Sequence, residues 1–336
     1  MTSQSPVAVR YSIVIPIFNE EAVLPVLLRR VDALMDQLDG PAETIFVDDG
    51  SADCSSIVLE AKARDDHRCR YIGLTRNFGH QLAITAGMDA AQGDAVVVMD
   101  GDLQDPPEVV LDMIAKWKEG YHIVYGRRLA REGESAFKRW TAGVFYRLLG
   151  RLSAVEIPNE VGDFRLVDRK ALDAFRAMPE HDRFVRGMFA WLGFRAAEVA
   201  FRRPARVAGE SKYPLRKMLR LAANGVIGFS DAPLRLAIWA GMSVSGLALL
   251  YGFYVIGLSL AGSNLVTGWS STIVIVSFLC GVNMLVTGIM GLYIGRIHAE
   301  VKGRPLYVVG RRVGFEHGRA AAENPPEQMA AVARLR

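Results

Sequence analysis

Between Met99 and Pro107 the chain reads Met-Asp-Gly-Asp-Leu-Gln-Asp-Pro-Pro, so two carboxylates one residue apart follow directly on the apolar run Ala95 to Val98. Alternate side chains of an extended backbone share a face, which puts Asp100, Asp102 and Gln104 on one side. Oxygen ligands that close together suit a hard cation, Mg²⁺ or Mn²⁺, holding a diphosphate. The plainer account of acidic residues after a strand is a turn that caps the next helix. For Asp105 this is the better account: followed by Pro106, it has the form of an N-cap with proline at the first helical position.

These residues need a scaffold. Tyr11 to Ile17 is an apolar, β-rich run ending at Pro16 to Asn19, and from Glu20 a helical pattern follows through Leu24, Leu27, Leu28, Val31 and Leu34. Thr44 to Val47 reads as a second strand, closed by Asp48-Asp49-Gly50-Ser51. Tyr71 to Leu74 and Ala95 to Met99 read as two more, with a helix Gln81 to Ala91 between them. Strands alternating with helices predict an α/β fold with a mostly parallel, doubly wound sheet. In such sheets ligands bind beyond the carboxyl ends of the strands. Those ends carry Pro16 to Glu20, Asp48 and Asp49, Arg76 and Asn77, and Asp100 and Asp102. No Gly-x-Gly-x-x-Gly follows the first strand and no P-loop occurs, so a bound diphosphate would need a metal or arginines in place of a glycine cradle.

Hydrophobic residues make up 51% of the 336, yet the chain carries 40 Lys and Arg, a combination that fits a membrane-attached enzyme. The formal charge of +4 is too small to argue nucleic-acid binding. Cys54, Cys69 and Cys280 have no metal-ligand spacing and read as free thiols. The first ten residues have no apolar core, so no cleavable signal peptide is expected there. Leu236 to Ala261 is free of charge for 26 residues, about 39 Å as a helix, enough to cross a hydrocarbon layer of about 30 Å. Ser271 to Gly295 is likewise uncharged, and the glycines of both segments (among them Gly241, Gly246, Gly281, Gly288 and Gly291) would permit close helix packing. Basic residues precede the first segment and follow the second, while Gly262 to Ser270 between them has none. The positive-inside rule then sets both termini and the α/β domain in the cytosol of a multi-pass plasma-membrane protein. Residues 135–152 and 215–234 carry apolar stripes flanked by Lys and Arg, as interfacial helices do. The tail, 297–336, reads as partly disordered.

In this order the chain contains Val14-Ile15-Pro16-Ile17-Phe18-Asn19-Glu20, Val47-Asp48-Asp49-Gly50-Ser51, Arg76-Asn77-Phe78-Gly79, Asp100-Gly101-Asp102-Leu103-Gln104-Asp105-Pro106-Pro107, Gly162-Asp163-Phe164-Arg165-Leu166, Arg183-Phe184-Val185-Arg186-Gly187 and Gly209-Glu210-Ser211-Lys212-Tyr213. Together they resemble the family-2 (GT-A) glycosyltransferases, and within them the polyprenyl-phosphate glycosyltransferases, which include bactoprenol glucosyltransferases and dolichyl-phosphate mannose synthases. The resemblance covers roughly residues 11 to 310. It implies a GT-A domain over 1–214 and a two-helix membrane region over 235–296. It also implies a UDP-sugar donor, UDP-glucose by default, a polyprenyl phosphate acceptor such as undecaprenyl phosphate, and a homo-oligomer, with a tetramer among the possibilities. The product would serve cell-envelope glycan modification, lipopolysaccharide included.

By that resemblance Pro16, Phe18, Glu20, Asp48, Asp49, Arg76 and Asp100 line the nucleoside-diphosphate pocket, with Asp48 facing the uracil edge, and Asp100 and Asp163 are the catalytic pair. Asp100, Asp102 and Gln104 bind the metal. Arg127, Arg128, Arg131, Arg202, Arg206 and Lys212 receive the lipid phosphate. Asp163 stands where the family places its base. A phosphate monoester whose second pKa is near ~6 is already anionic at neutral pH, so Asp163 has orienting or screening the acceptor as its alternative role. Its plainest alternative is a salt bridge to Arg165 or Arg186. His80, His122 and His181 form no i, i+4 pair and read as structural. Two other functions compete. A processive polysaccharide synthase would carry Gln-x-x-Arg-Trp, but Ala136 stands where the glutamine of Arg139-Trp140 would be. A non-catalytic nucleotide-binding membrane scaffold would not need the intact acids Asp100, Asp102 and Asp163.

Overall fold

The computed structural model describes residues 9–129, 161–181, 183–202, 232–260 and 268–315. They belong to two compact units, one made of 1–147, 155–213 and 304–336, the other of 148–154 and 214–303.

The first unit is built on β1 (Tyr11–Ile17), whose seven residues are all buried because it lies mid-sheet with both faces covered. It runs parallel to β2 (Ala42–Asp48) and to β4 (Ala95–Val98), and β2 runs parallel to β3 (Cys69–Leu74). Helices α1 (Leu24–Met35), α2 (Ser55–Asp65) and α3 (His80–Ala90) make the connections. The helical pattern begins four residues later than Glu20, with Pro25 in the first turn of α1. Beyond β4 the order departs from a doubly wound sheet. After α4 (Val109–Lys118) and β5 (Ile123–Arg128), β6 (Val161–Asp168) inserts antiparallel between β4 and β5, and β7 (Ala196–Phe201) lies parallel to β5 on the edge. Helices α5 (Arg169–Arg176) and α6 (Val185–Trp191) separate β6 from β7. The stacked rings of Phe175 and Phe189, 4.7 Å apart, lock these two helices together.

The opposite edge is closed by β8 (Val309–Val313), antiparallel to β3 with Ile72 opposite Arg312, which gives the eight-stranded order β7-β5-β6-β4-β1-β2-β3-β8. By its residues alone this stretch belongs to the tail. It is a short strand rich in exposed arginine, the form that edge strands take to avoid pairing with other chains. It is fastened by Thr75 N donating to Val308 O (3.0 Å), by the Tyr307 hydroxyl donating to Asp89 (2.9 Å) and by an Arg311–Glu60 ion pair (3.0 Å).

The second unit contains two long helices, α7 (Ala232–Leu260) and α8 (Trp269–Val301). Within α8, Phe278–Val301 is long and apolar enough to cross a membrane, and α7 holds a shorter apolar stretch, Ala237–Ala248. Among the described residues a Cβ at Gly241, Gly246, Gly281, Gly288 or Gly291 would meet nothing within 4 Å, so no close helix contact is seen at these five glycines. The segments 135–152 and 215–231 lie outside the described residues.

Candidate active site

The C-terminal ends of β1, β2 and β3 are knitted into one surface. Asp49 N–H continues the ladder to Ile17 O (2.9 Å), and Asn19, in the left-handed conformation at φ 55°, accepts from Ala52 N–H through its side chain while its own N–H reaches Ser51 Oγ. Gly50, at φ +72°, is required twice over, because a Cβ there would also lie 2.6 Å from the Arg76 carbonyl carbon. Asp48 is buried, with one carboxylate oxygen taking Ser51 N–H (2.9 Å) and the other the Tyr71 hydroxyl (3.1 Å). Asp49 takes the N–H groups of Phe78 (2.7 Å) and Gly79 (2.9 Å), so it shapes the loop carrying Arg76. Burial raises its pKa against the pull of those two bonds. Arg76 lies 4.0 Å over the Phe78 ring, and Phe18 stands 46% exposed at the rim beyond Pro16.

The Asp100 loop packs against the same rim. A Cβ at Gly101 would meet Ile17 at 2.5 Å and Pro16 O at 3.2 Å, so glycine lets the loop close onto β1. Leu103 turns the chain with φ 59°, a strained conformation for a leucine, and is 1% exposed, so its buried side chain anchors the turn between Asp102 and Gln104. Asp102 accepts the Gln104 N–H (3.0 Å). Asp105 is not a helix cap. The helix starts at Val109, with Glu108 in the cap position, while Asp105 is fully buried and turns back to accept the Asp100 N–H (3.3 Å). Burial, reinforced by the charge of Asp100 and opposed by Arg128, pushes its pKa up to about 7.

Val98 pairs with Arg165 across β4 and β6, so continuing that antiparallel register sets Asp100 beside Asp163. Asp163 is 5% exposed at the side chain and surrounded by donors. Arg186 binds it through two nitrogens (2.9 and 3.0 Å), Arg165 Nη2 approaches to 3.2 Å and Gln81 Nε2 to 3.0 Å. Burial works against its charge, but His80, Arg186 and Arg165 outweigh it and hold the carboxyl well below the usual range. The ion pairs weighed as its plainest alternative are therefore both present. His80, expected to be structural, sits between the two acids, with Nε2 3.3 Å from Asp100 and 3.5 Å from Asp163. Desolvation opposes its charge, yet the two carboxylates push its pKa up to about 10. Burial and the charge of Asp163 work against the ionised form of Asp100, but His80, with Arg128 behind it, outweighs them and draws its pKa down. The one sequence sign of it was its place directly after Arg76-Asn77-Phe78-Gly79, at the first residue of α3.

The arginines expected to receive a phosphate are divided. Arg128 lies over Gly162, where a Cβ would meet its guanidinium at 2.6 Å, and faces Asp105 at 3.7 Å. Arg127, the adjacent residue, is paired instead with Glu198 of β7 (3.1 Å). Arg202 is exposed just after β7. Arg131, Arg206 and Lys212 fall outside the described residues.

The donor set Asp100, Asp102 and Gln104 fits a hard divalent cation: all of its donors are oxygens, gathered on the loop that Gly101 lets close onto the end of β1. Among the described residues one group of three acid or thiol ligands lies within mutual reach, Asp32, Asp66 and Cys69. It is at the opposite end of the sheet, by the start of β3, and Lys62 Nζ already bonds both carboxylates at 2.9 and 3.2 Å. Its charge is thereby met.

The sequence pattern described as Glycosyl transferase family 2 matches residues 12–176. The glycosyltransferase YkcC of Bacillus subtilis, uncharacterized by its name, is 49% identical over 93% of this chain and 96% of its own. The bactoprenol glucosyl transferase of Shigella phage SfII is 39% identical over 89% of this chain and 97% of its own. Among solved structures, glucosyl-3-phosphoglycerate synthase from Mycobacterium tuberculosis with phosphoglyceric acid is similar at a TM-score of 0.45 and 22% identity, over 65% of this chain and 78% of that one. With relatives matched along nearly their whole length, the chain belongs to glycosyltransferase family 2 and is a glycosyltransferase close to the bactoprenol glucosyl transferases.

Proposed function

We propose that this glycosyltransferase moves a sugar, with glucose as the first candidate, from its UDP derivative to a polyprenyl phosphate such as undecaprenyl phosphate at the cytosolic face of a membrane. The observation that carries the reading is the meeting of Asp100 and Asp163 beneath a basic rim, in a chain similar end to end to proteins named for transferring glucose to bactoprenol. Asp48, buried and held by Ser51 and Tyr71, keeps lone pairs to accept a base N–H, which suits uracil. Asp49 holds the Arg76 loop beside it.

Asp100, Asp102 and Gln104 are the residues that would hold Mg²⁺ or Mn²⁺. When bound, the cation supplies charge neutralisation for the departing diphosphate. The acceptor phosphate oxygen is ionised at neutral pH, so it needs positioning and screening more than a base. A new bond from that oxygen to the anomeric carbon replaces the bond to UDP from the opposite face, which turns an α-linked donor into a β-linked product. Arg128 and Arg186, partly exposed at the site, are placed to screen the meeting of two anions. Asp163, saturated by guanidinium groups, orients them and takes no proton.

The membrane reading draws support from the return of the chain. It leaves the α/β unit at 213, re-enters it at 304 and adds β8 to the same sheet, so any crossings between must be even in number. With Phe278–Val301 crossing in α8, α7 supplies the second pass. The test is transfer of a labelled sugar from UDP-sugars to undecaprenyl phosphate by membranes holding the protein. Activity should require Mg²⁺ or Mn²⁺ and fall at least about 100-fold in Asp102→Ala. Full activity of that variant would remove the metal from the reading.

A further inference from the structure

His80 has no place in the roles given above, yet three loops converge on it. Its predecessor Gly79, at φ +102°, donates its N–H to Asp49, which ties the start of α3 to the nucleoside side of the site. Its own Nε2 faces Asp100 at 3.3 Å, on the metal side, and Asp163 at 3.5 Å, on the acceptor side. The next residue, Gln81, bonds Asp163 through its amide nitrogen (3.0 Å) and accepts Val185 N–H through its amide oxygen (3.2 Å), so the first turn of α3 grips Asp163 twice. A histidine that merely filled the core would be enclosed. This side chain is 45% exposed, and its contacts are the two carboxylates the reaction needs side by side. Two carboxylates side by side, Asp163 buried and Asp100 partly buried, repel, and an imidazole facing both offsets that repulsion while fixing their spacing.

We propose that His80 is a positioning residue of the transfer reaction, a single imidazole that sets Asp100 on the donor side and Asp163 on the acceptor side in one fixed relation. This rests on the function proposed above. It assigns His80 no contact with the reacting atoms. It makes Asp100 a better-oriented metal ligand, as a partner behind a ligand does, and it passes any movement of α3 or of the Arg76 loop to both acids together.

The test uses the full-length protein in detergent with His80→Ala and His80→Gln, the latter keeping a side-chain N–H donor. Mn²⁺ binding in the presence of UDP, followed by electron paramagnetic resonance, is read without turnover. His80→Ala should weaken it about 10-fold, and His80→Gln should recover most of the loss. In the transfer assay His80→Ala should lower kcat by a similar factor while KM for the UDP-sugar moves less than about threefold. His80→Ala should lower the melting temperature by several degrees, because the two carboxylates are then left unbridged, and His80→Gln should recover much of that loss. Mn²⁺ affinity and kcat both within about twofold of wild type in His80→Ala would overturn the proposal. So would a large loss of thermal stability that His80→Gln does not repair, which would mark a purely structural side chain. A wild-type protein that neither binds Mn²⁺ with UDP nor transfers sugar would refute the proposed function itself, and this inference with it.

Discussion

Asp163→Asn separates two accounts of the acceptor side. The substitution keeps the shape but removes the charge that two guanidinium groups share, and it turns an N–H₂ toward one of them. Arg165 is 0% exposed and would then be a buried cation without its carboxylate, while Arg186, 32% exposed, would recover part of its solvation. Breaking a buried pair from one side costs about 3–5 kcal/mol. With Arg186 partly screened the lower end applies, so about 3 kcal/mol is expected, or a melting temperature lowered by roughly 10 °C. Activity should fall about 100-fold at a temperature where the variant is still folded, the loss that misplacement by an ångström brings. The discriminating partner is Arg186→Ala. If Asp163 orients guanidinium groups, this variant loses activity to a similar extent. If Asp163 were a general base, freeing its carboxylate from Arg186 would raise its basicity and spare the rate. The assay is initial-rate sugar transfer beside thermal melts of the same preparations. An Arg186→Ala enzyme of undiminished rate beside a dead Asp163→Asn enzyme would refute the reasoning.

Asp66, bonded by Arg68 and Lys62, keeps its carboxyl far below the usual range despite partial burial, so its folded pKa lies below its unfolded one. Its contribution is complete above the unfolded value of about 4 and fades as pH falls through the folded value. The melting temperature of Asp66→Asn should accordingly lie below wild type at pH 7 and converge on it as the pH is lowered below about 4; a gap independent of pH would contradict the ion pairs. The cysteines report on both units. Burial pushes the Cys69 thiol up to about 12, Cys54 is exposed, and Cys280 is exposed on α8. In intact membranes a charged maleimide should label Cys54 alone, Cys280 should react once the bilayer is dissolved, and Cys69 only after unfolding, as mass spectrometry of the peptides would show. Labelling of Cys280 in the intact membrane would contradict a spanning α8.

The first half of the α/β unit was legible because it is local: each apolar run is followed by its polar loop and its helix, and the ends of β1 to β4 gather Pro16, Asp48, Arg76 and Asp100 by the parallel topology alone. What escaped is what depends on distant pairing. β6 looks like any short apolar strand, and nothing in its residues tells that it inserts antiparallel and so brings Asp163 to Asp100. His80 was passed over because a lone histidine announces itself in sequence only by regular spacing to another ligand, whereas its two partners come from different strands. Asp105 departs from expectation for a related reason. An aspartate before proline has the form of a helix cap, but here the two prolines that follow delay the helix to Val109, and the carboxylate is spent on the Asp100 backbone. β8 was hidden by its arginines, which suit an edge strand as well as a solvated tail.

The most direct test of the central claim is a screen of nucleotide sugars against the purified protein with undecaprenyl phosphate and a divalent cation, read by mass spectrometry of the lipid fraction. The account predicts one UDP-hexose, with UDP-glucose first in line, giving a β-linked polyprenyl-phosphate monosaccharide only when both lipid phosphate and cation are present. Release of free sugar without a lipid product, or no transfer from any UDP-sugar, would contradict it.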